Sequence, residues 1–312
     1  MSDQFLSINL DDVPVGEPLE VTIYIYIDFR FITFRSEGDK VDRMAYDRLM
    51  FKKVRNLFVQ EVDAERFATW QQKRKEIEAP VAPLPPGAEG FAKVREDVHR
   101  KTMDIFQSDH PDKIVTQTLA LSKKLVEEVM KFPYSVNTLG MLQTYSKGTV
   151  DHSVNVSILS VYLAMQMGYT HSLILQHVGT GGLLHDIGKC KVPLADDDSP
   201  AQIAAKMLAH PELGLRLIEG HAKVPNEVKM IISQHHECWD GNGYPKKLRG
   251  NAIYDLARVV QIANVFDELV GDAKGNLVDR QRAAVKELDQ VLYRRFDPQK
   301  LDKAVKILKL GI

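Results

Sequence analysis

Hydrophobic and polar positions change their spacing along this chain. In residues 19–35, LEVTIYIYIDFRFITFR, they alternate with a period of two, and Val21, Ile23, Ile25, Ile27, Phe29 and Phe31 fall on one face. That period, in β-branched and aromatic residues, predicts one strand or two. Ser36-Glu37-Gly38-Asp39 reads as a turn. Residues 42–75 are charged with helical spacing. The stretch 79–90 carries Pro80, Pro83, Pro85, Pro86, Gly87 and Gly90, cannot continue a helix, and predicts a linker. From about residue 91 apolar positions recur three and four apart, in 111–131, 149–168, 199–219, 224–236, 252–270 and 296–309. Pro133, Pro193, Pro211 and Pro225 punctuate them. The pattern predicts an α+β protein: a small α/β domain over 1–90, followed by an all-α helical bundle over 91–312.

The length, 312 residues, suits two domains. Basic and acidic side chains nearly balance, 41 against 42, which removes the electrostatic footprint of a DNA- or RNA-binding protein but leaves room for a small phosphate ligand. The opening MSDQFLSINLDD lacks a basic and apolar leader, and no apolar run reaches the roughly 18 residues of a membrane span. Cys190 and Cys238 have no CxxC partner and read as free thiols, so the expected location is cytoplasmic. The first domain holds no chemical motif, which suggests regulation or a protein partner.

The chemistry concentrates in the histidines. Leu183-Leu184-His185-Asp186-Ile187-Gly188-Lys189 sets an imidazole beside a carboxylate at the end of an apolar helix. The two oxygens of Asp186 can bridge two cations while His185 gives one a nitrogen ligand. A lone His-Asp pair could equally cap a helix. His235-His236-Glu237 ends a second helix and is followed by the Asp240-Gly241-Asn242-Gly243 turn and Tyr244-Pro245. Taken singly, His152 reads as a core histidine, His210 as a helix-terminus residue and Asp267 as an ion-pair partner.

HDIGK at 185–189 and HHE…DGNGYP at 235–245 resemble the HD-GYP family, a branch of the HD phosphohydrolases, over about residues 110–290. The resemblance implies that His152, His185, Asp186 and Asp267 hold one metal ion, and that Asp186, His210, His235 and His236 hold another. It implies two transition-metal ions, iron first, with manganese, zinc or nickel compatible with the same donors. It also implies hydrolysis of cyclic di-GMP with Asp186 and Lys189 as catalytic residues. Lys189, Gly243, Tyr244 and Pro245 would line the substrate groove. His99, His110, His171, His177 and His221 match no ligand position.

The sequence departs from the family in three places. Gly148 stands where many members place a third-metal Glu, which predicts a two-metal centre. Asn155 replaces a familiar Arg. After Asp267 the chain reads Gly271-Asp272-Ala273-Lys274-Gly275-Asn276 in place of an Arg-Pro-Tyr-Arg-like phosphate clamp, and Lys cannot copy the bidentate contact of Arg. Two alternatives therefore accompany the phosphodiesterase: a cyclic-dinucleotide-binding or signalling module with weak turnover, and a hydrolase of another nucleotide phosphoester. The Gly179-Thr180-Gly181-Gly182 run predicts close packing rather than a phosphate loop. The acidic run Asp196-Asp197-Asp198 predicts a solvated loop.

Overall fold

A computed structural model describes residues 4–78, 88–108, 110–131, 138–143, 148–195 and 197–312. Most of the proline-rich run and Asp196 lie outside these residues. Two compact units emerge, Met1–Ala79 with Lys147–Thr149, and Pro80–Ser146 with Val150–Ile312.

The first unit is a four-stranded antiparallel sheet, in the order β1-β4-β2-β3, with two helices. Its elements are β1 (Phe5–Asn9), β2 (Ile23–Ile27), β3 (Arg30–Arg35), α1 (Arg43–Phe51), β4 (Asn56–Gln60) and α2 (Ala64–Glu78). The alternating run becomes a hairpin. Asp28 and Phe29 form its two-residue turn, both at positive φ, 48° and 61°, the geometry that suits the twist of a hairpin. The turn pairs Tyr26 with Phe31 and Ile25 with Ile32. Phe31 therefore lies on the face opposite Ile25, where it stacks on Phe5 at 3.9 Å, and the expected single apolar face ends at Ile27. The helical reading of 42–75 also needs correction. Strand β4 interrupts it, with Leu57 and Val59 buried in the sheet core. Five residues of period two are too short to stand out among charged neighbours.

The second unit is all-α. Its helices are α3 (Ala88–Phe106), α4 (Pro111–Val129), α5 (Thr138–Leu142), α6 (Thr149–Gln166), α7 (Ser172–Leu184), α8 (Pro200–Met207), α9 (His210–Ile218), α10 (Asn226–Gln234), α11 (Asp255–Asp272), α12 (Leu277–Gln290) and α13 (Pro298–Gly311). The expected helix over 199–219 is two, because the ring of Pro211 clashes with the carbonyl four residues back, at Met207, where α8 stops. Helix α6 is buried on every side from His152 to Ala164, so it forms the centre of the bundle. The glycine run packs α7 closely against its neighbours, as the sequence suggests. A Cβ on Gly182 would sit 2.6 Å from the Ser157 Cα on α6. That approach places the end of α7, and with it His185, beside His152. No helix among the described residues is long and apolar enough to cross a membrane.

Candidate metal centre

Three of the histidines are held by the same local device. The last carbonyls of a helix have no intrahelical partner. His185 Nδ1 lies 2.8 Å from the Gly182 carbonyl at the end of α7. His210 Nδ1 lies 2.7 Å from the Met207 carbonyl at the end of α8, and His235 Nδ1 lies 2.8 Å from the Ile232 carbonyl near the end of α10. A carbonyl only accepts, so each Nδ1 must donate, and each ring turns its Nε2 lone pair inward. Three helix C-termini, the negative ends of their dipoles, thus converge on one place.

In neutral rings these inward nitrogens face one another as lone pairs. His210 Nε2 and His235 Nε2 stand 3.1 Å apart, and His152 Nε2 and His185 Nε2 stand 3.3 Å apart. Asp186 lies between the two pairs. Its Oδ1 is 3.1 Å from His210 Nε2 and 3.9 Å from His235 Nε2, while its Oδ2 is 3.4 Å from His185 Nε2 and 3.7 Å from His152 Nε2. The carboxylate is 1% exposed, and its Oδ1 accepts no hydrogen bond. Facing lone pairs and an unsatisfied buried carboxylate oxygen are costly alone. Cations relieve both. Among the described residues, two groups can each surround an ion: Asp186 with His210, His235 and His236, and His152 with His185 and Asp186. The donor set therefore fits a pair of metal ions with Asp186 shared between them.

Asp267, the seventh expected ligand, joins through His152. Its Oδ2 is 2.8 Å from His152 Nδ1, and its Oδ1 accepts from Gln143 Nε2 at 2.7 Å and from Asn155 Nδ2 at 2.8 Å. The carboxylate thereby fixes the His152 ring, whose Nε2 faces Asn264 Oδ1 at 2.8 Å as well as His185. Lys189 Nζ lies 2.6 Å from Asp186 Oδ2, so the expected catalytic cation stands at the shared carboxylate. Burial alone would raise the Asp186 carboxyl, but the neighbouring His185 imidazole and Lys189 ammonium outweigh it and hold the group well below the usual carboxylate range. Burial also holds His235 and His236 well below the usual imidazole value, which keeps them in the neutral, ligating form.

The loop after His236 is locked onto the same place. A Cβ on Gly243 would lie 2.3 Å from the Cys238 nitrogen and 2.4 Å from the His236 carbonyl, so only glycine permits this approach. The buried carboxylate of Glu237 accepts from the amides of Lys246 at 2.7 Å and Leu248 at 2.8 Å. Tyr244 stacks on His236 with ring centroids 4.6 Å apart, and Pro245 follows it. Burial, then the charge on Asp186, pushes the Tyr244 phenol up, so it stays protonated and able to donate.

The HD domain family matches this chain over residues 139–299. The chain belongs to the HD domain family. It is 31% identical over 203 residues to a cyclic di-GMP phosphodiesterase of Pseudomonas aeruginosa, covering 62% of this chain and 49% of that protein. It is 28% identical over 185 residues to a 3'3'-cGAMP-specific phosphodiesterase of Vibrio cholerae, covering 58% of this chain and 34% of that protein. The chain spans half or less of the length of these curated relatives. A solved HDGYP protein of Bdellovibrio bacteriovorus shares the fold, with a TM-score of 0.60 at 23% identity over 98% of this chain and all of that one. The two motifs and these relatives place the chain in the HD-GYP branch.

The other expected features fall outside the centre. His99 pairs with Asp151, His221 with Asp112 and His177 with Glu227, while His110 and His171 precede α4 and α7 as N-cap residues. Asp198 is tied to Lys206 at 2.7 Å rather than solvated. Cys190 is half-buried and Cys238 buried, both as free thiols. Sequence reasoning missed Gln143 and Asn264, and it named Glu237 in the motif without its hold on the Lys246 and Leu248 amides. Asn264 carried a usable signal, since it precedes Asp267 by one helical turn and shares its face.

The lowered His235 and His236 give a pH prediction. Unfolded histidines titrate near 6.5, and the folded ones lower, so below that pH the unfolded chain binds more protons. Stability of the metal-free protein should therefore fall as pH drops. Denaturant unfolding at about pH 7.5 and about pH 5.5 checks this, and equal or greater stability in acid would contradict it.

Proposed function

We propose that this chain is a metal-dependent phosphodiesterase that hydrolyses cyclic di-GMP at a centre of two transition-metal ions. The observation that carries the reading is Asp186, a buried carboxylate with one oxygen turned to each histidine group. His152, His185 and Asp186 would hold one ion, with Asp267 orienting the His152 ring from its Nδ1 side, and Asp186, His210, His235 and His236 the other. Iron comes first, and manganese, zinc or nickel suit the same donors. Bound there, such ions supply Lewis-acid polarisation of a phosphoryl group and a water acidic enough to attack it. The chain's own residues do the rest. Asp186 bridges the two groups and keeps them in register. Lys189 sits at its edge, positioned to balance charge that gathers on the phosphoryl oxygens. The Tyr244 phenol offers a protonated donor and an aromatic face beside His236, and Gly243 and Pro245 hold the loop that carries it. The N-terminal unit would regulate this reaction or bind a protein partner, and the two free thiols suit the cytoplasm.

One feature favours a second reading, a module that binds cyclic dinucleotide with weak turnover. Helix α11 ends at Asp272 and α12 begins at Leu277, and the only cation of the segment between them is Lys274. A single assay separates the readings. Protein loaded with iron or manganese is incubated with cyclic di-GMP, and with 3'3'-cGAMP in parallel, and the products are resolved by chromatography. Linear dinucleotide or GMP, lost on chelation and restored by metal, is expected from cyclic di-GMP. Tight binding with no product would leave only the module, and cleavage of cGAMP alone would move the substrate to another cyclic dinucleotide.

A further inference from the structure

Arg95 lies on α3, outside the span that matches the HD domain family. Its guanidinium donates to the Leu142 carbonyl at 2.7 Å and to the side-chain oxygen of Asn155. One helical turn later on α3, His99 pairs with Asp151 at 2.8 Å. Residues 95 and 99 on α3 thus form two rungs with residues 155 and 151 on α6, the helix that carries His152. Burial lowers the Arg95 guanidinium to about 10, against the nearby charges of Asp151 and Asp267, so it stays charged at neutral pH.

The chain of contacts has a forced polarity. Arginine only donates, and an ionised carboxylate only accepts. Asn155 stands between them, so its oxygen must face Arg95 and its nitrogen must face Asp267. Asp267 then accepts from His152 Nδ1, which leaves the Nε2 edge of the ring facing His185, Asp186 and Asn264 Oδ1. Removing Arg95 takes away a donor to the Asn155 oxygen, and an amide flipped in its absence would aim that oxygen at the carboxylate. Outer partners that orient a ligand in this way are a general feature of metal sites.

We infer that Arg95 is a positioning residue for the first metal group, acting through Asn155 and Asp267 to set the orientation of His152. The inference rests on the metal-centre reading above.

The test is manganese(II) titration of the whole protein, with an independent spectrum of the metal-free form. Arg95→Met is expected to weaken the first ion about 10- to 100-fold and to change the second by less than about twofold. Adding Asn155→Ala should make matters no worse, since both substitutions cut one link. Arg95→Lys, which keeps the charge but lacks the fork, should fall between. In metal-free protein the His152 Nδ1–H resonance should be protected and lost in Arg95→Met. Unchanged manganese affinities with a shifted melting temperature would overturn the inference and assign Arg95 to packing. If the unsubstituted protein binds no manganese, the proposed function fails on its own, and the His152 resonance still decides this inference: its persistence in Arg95→Met overturns it. Should Arg95→Met not fold, Asn155→Ala alone must show both losses, and their absence is equally decisive.

Discussion

Asp186→Ala is expected to strip both metal ions at once and to lower phosphodiester hydrolysis by about 10³-fold, the equivalent of the roughly 4 kcal/mol that Lewis-acid stabilisation can supply. The reason is geometric. Each histidine group has nitrogen donors of its own, but they share one carboxylate, whose Oδ1 faces His210 and His235 and whose Oδ2 faces His152 and His185. Removing it takes the common anion from both. The single-group substitutions His152→Ala and His210→Ala should each lose one ion and keep the other, and that contrast tests the bridge. Elemental analysis of the three variants gives the metal count, and bis-(p-nitrophenyl) phosphate gives the rate without reference to the natural substrate. Retention of one full ion in Asp186→Ala would show that the groups are independent. Loss of Asp186 also leaves the Lys189 ammonium without its partner at 2.6 Å, so Lys189→Met in the same background separates a charge effect from metal loss.

How much of this was legible follows from the range of each interaction. The helices were visible because α4, α6 and α11 each bury a face or the whole cylinder, and burial writes a period into the sequence. Strands β1 and β4 were not, since five residues of a mixed strand in charged surroundings carry little pattern, and the Asp28–Phe29 turn contains no glycine to announce it. The candidate centre was legible where two of the clustered residues are neighbours in sequence, as in His185-Asp186 and His235-His236. His152, His210 and Asp267 became candidates only through the family resemblance, because a buried histidine on an apolar helix looks the same whether or not it faces a cation. The polar support was illegible for a stronger reason. Gln143 just past α5, Asn155 on α6 and Asp267 on α11 meet across the fold, and Arg95 reaches Asn155 from 60 residues earlier. Nothing in the local sequence of any one of them states that meeting. The chemistry at each end of those contacts, a donor that cannot accept and a carboxylate that cannot donate, becomes informative only once the fold brings them together.

Gly188→Ala carries the second large expectation, and it arises from backbone rather than from any ligand. A Cβ at Gly188 would stand 1.9 Å from the His210 carbonyl oxygen, 2.5 Å from the Gly214 nitrogen and 2.9 Å from the His210 carbonyl carbon. All three atoms are main chain, so no rotamer change can make room, and α9 must move away from the turn that follows His185-Asp186. Overpacking of this kind costs about 3 kcal/mol, at the upper end of the usual range. For a protein of this size that corresponds to a melting temperature lower by roughly 5 °C. The displacement also carries His210 with it, so the group formed by Asp186, His210, His235 and His236 should lose its ion while the group on α6 and α7 keeps its own. Gly220→Ala is the control, because a Cβ there meets nothing within 4 Å. Thermal melts and metal content of the two variants suffice. A Gly188→Ala protein that melts with the unsubstituted chain and holds two ions would mean that α9 does not rest on this glycine, and that His210 is placed by something other than the contact which makes the fourth residue of the HDIGK motif a glycine.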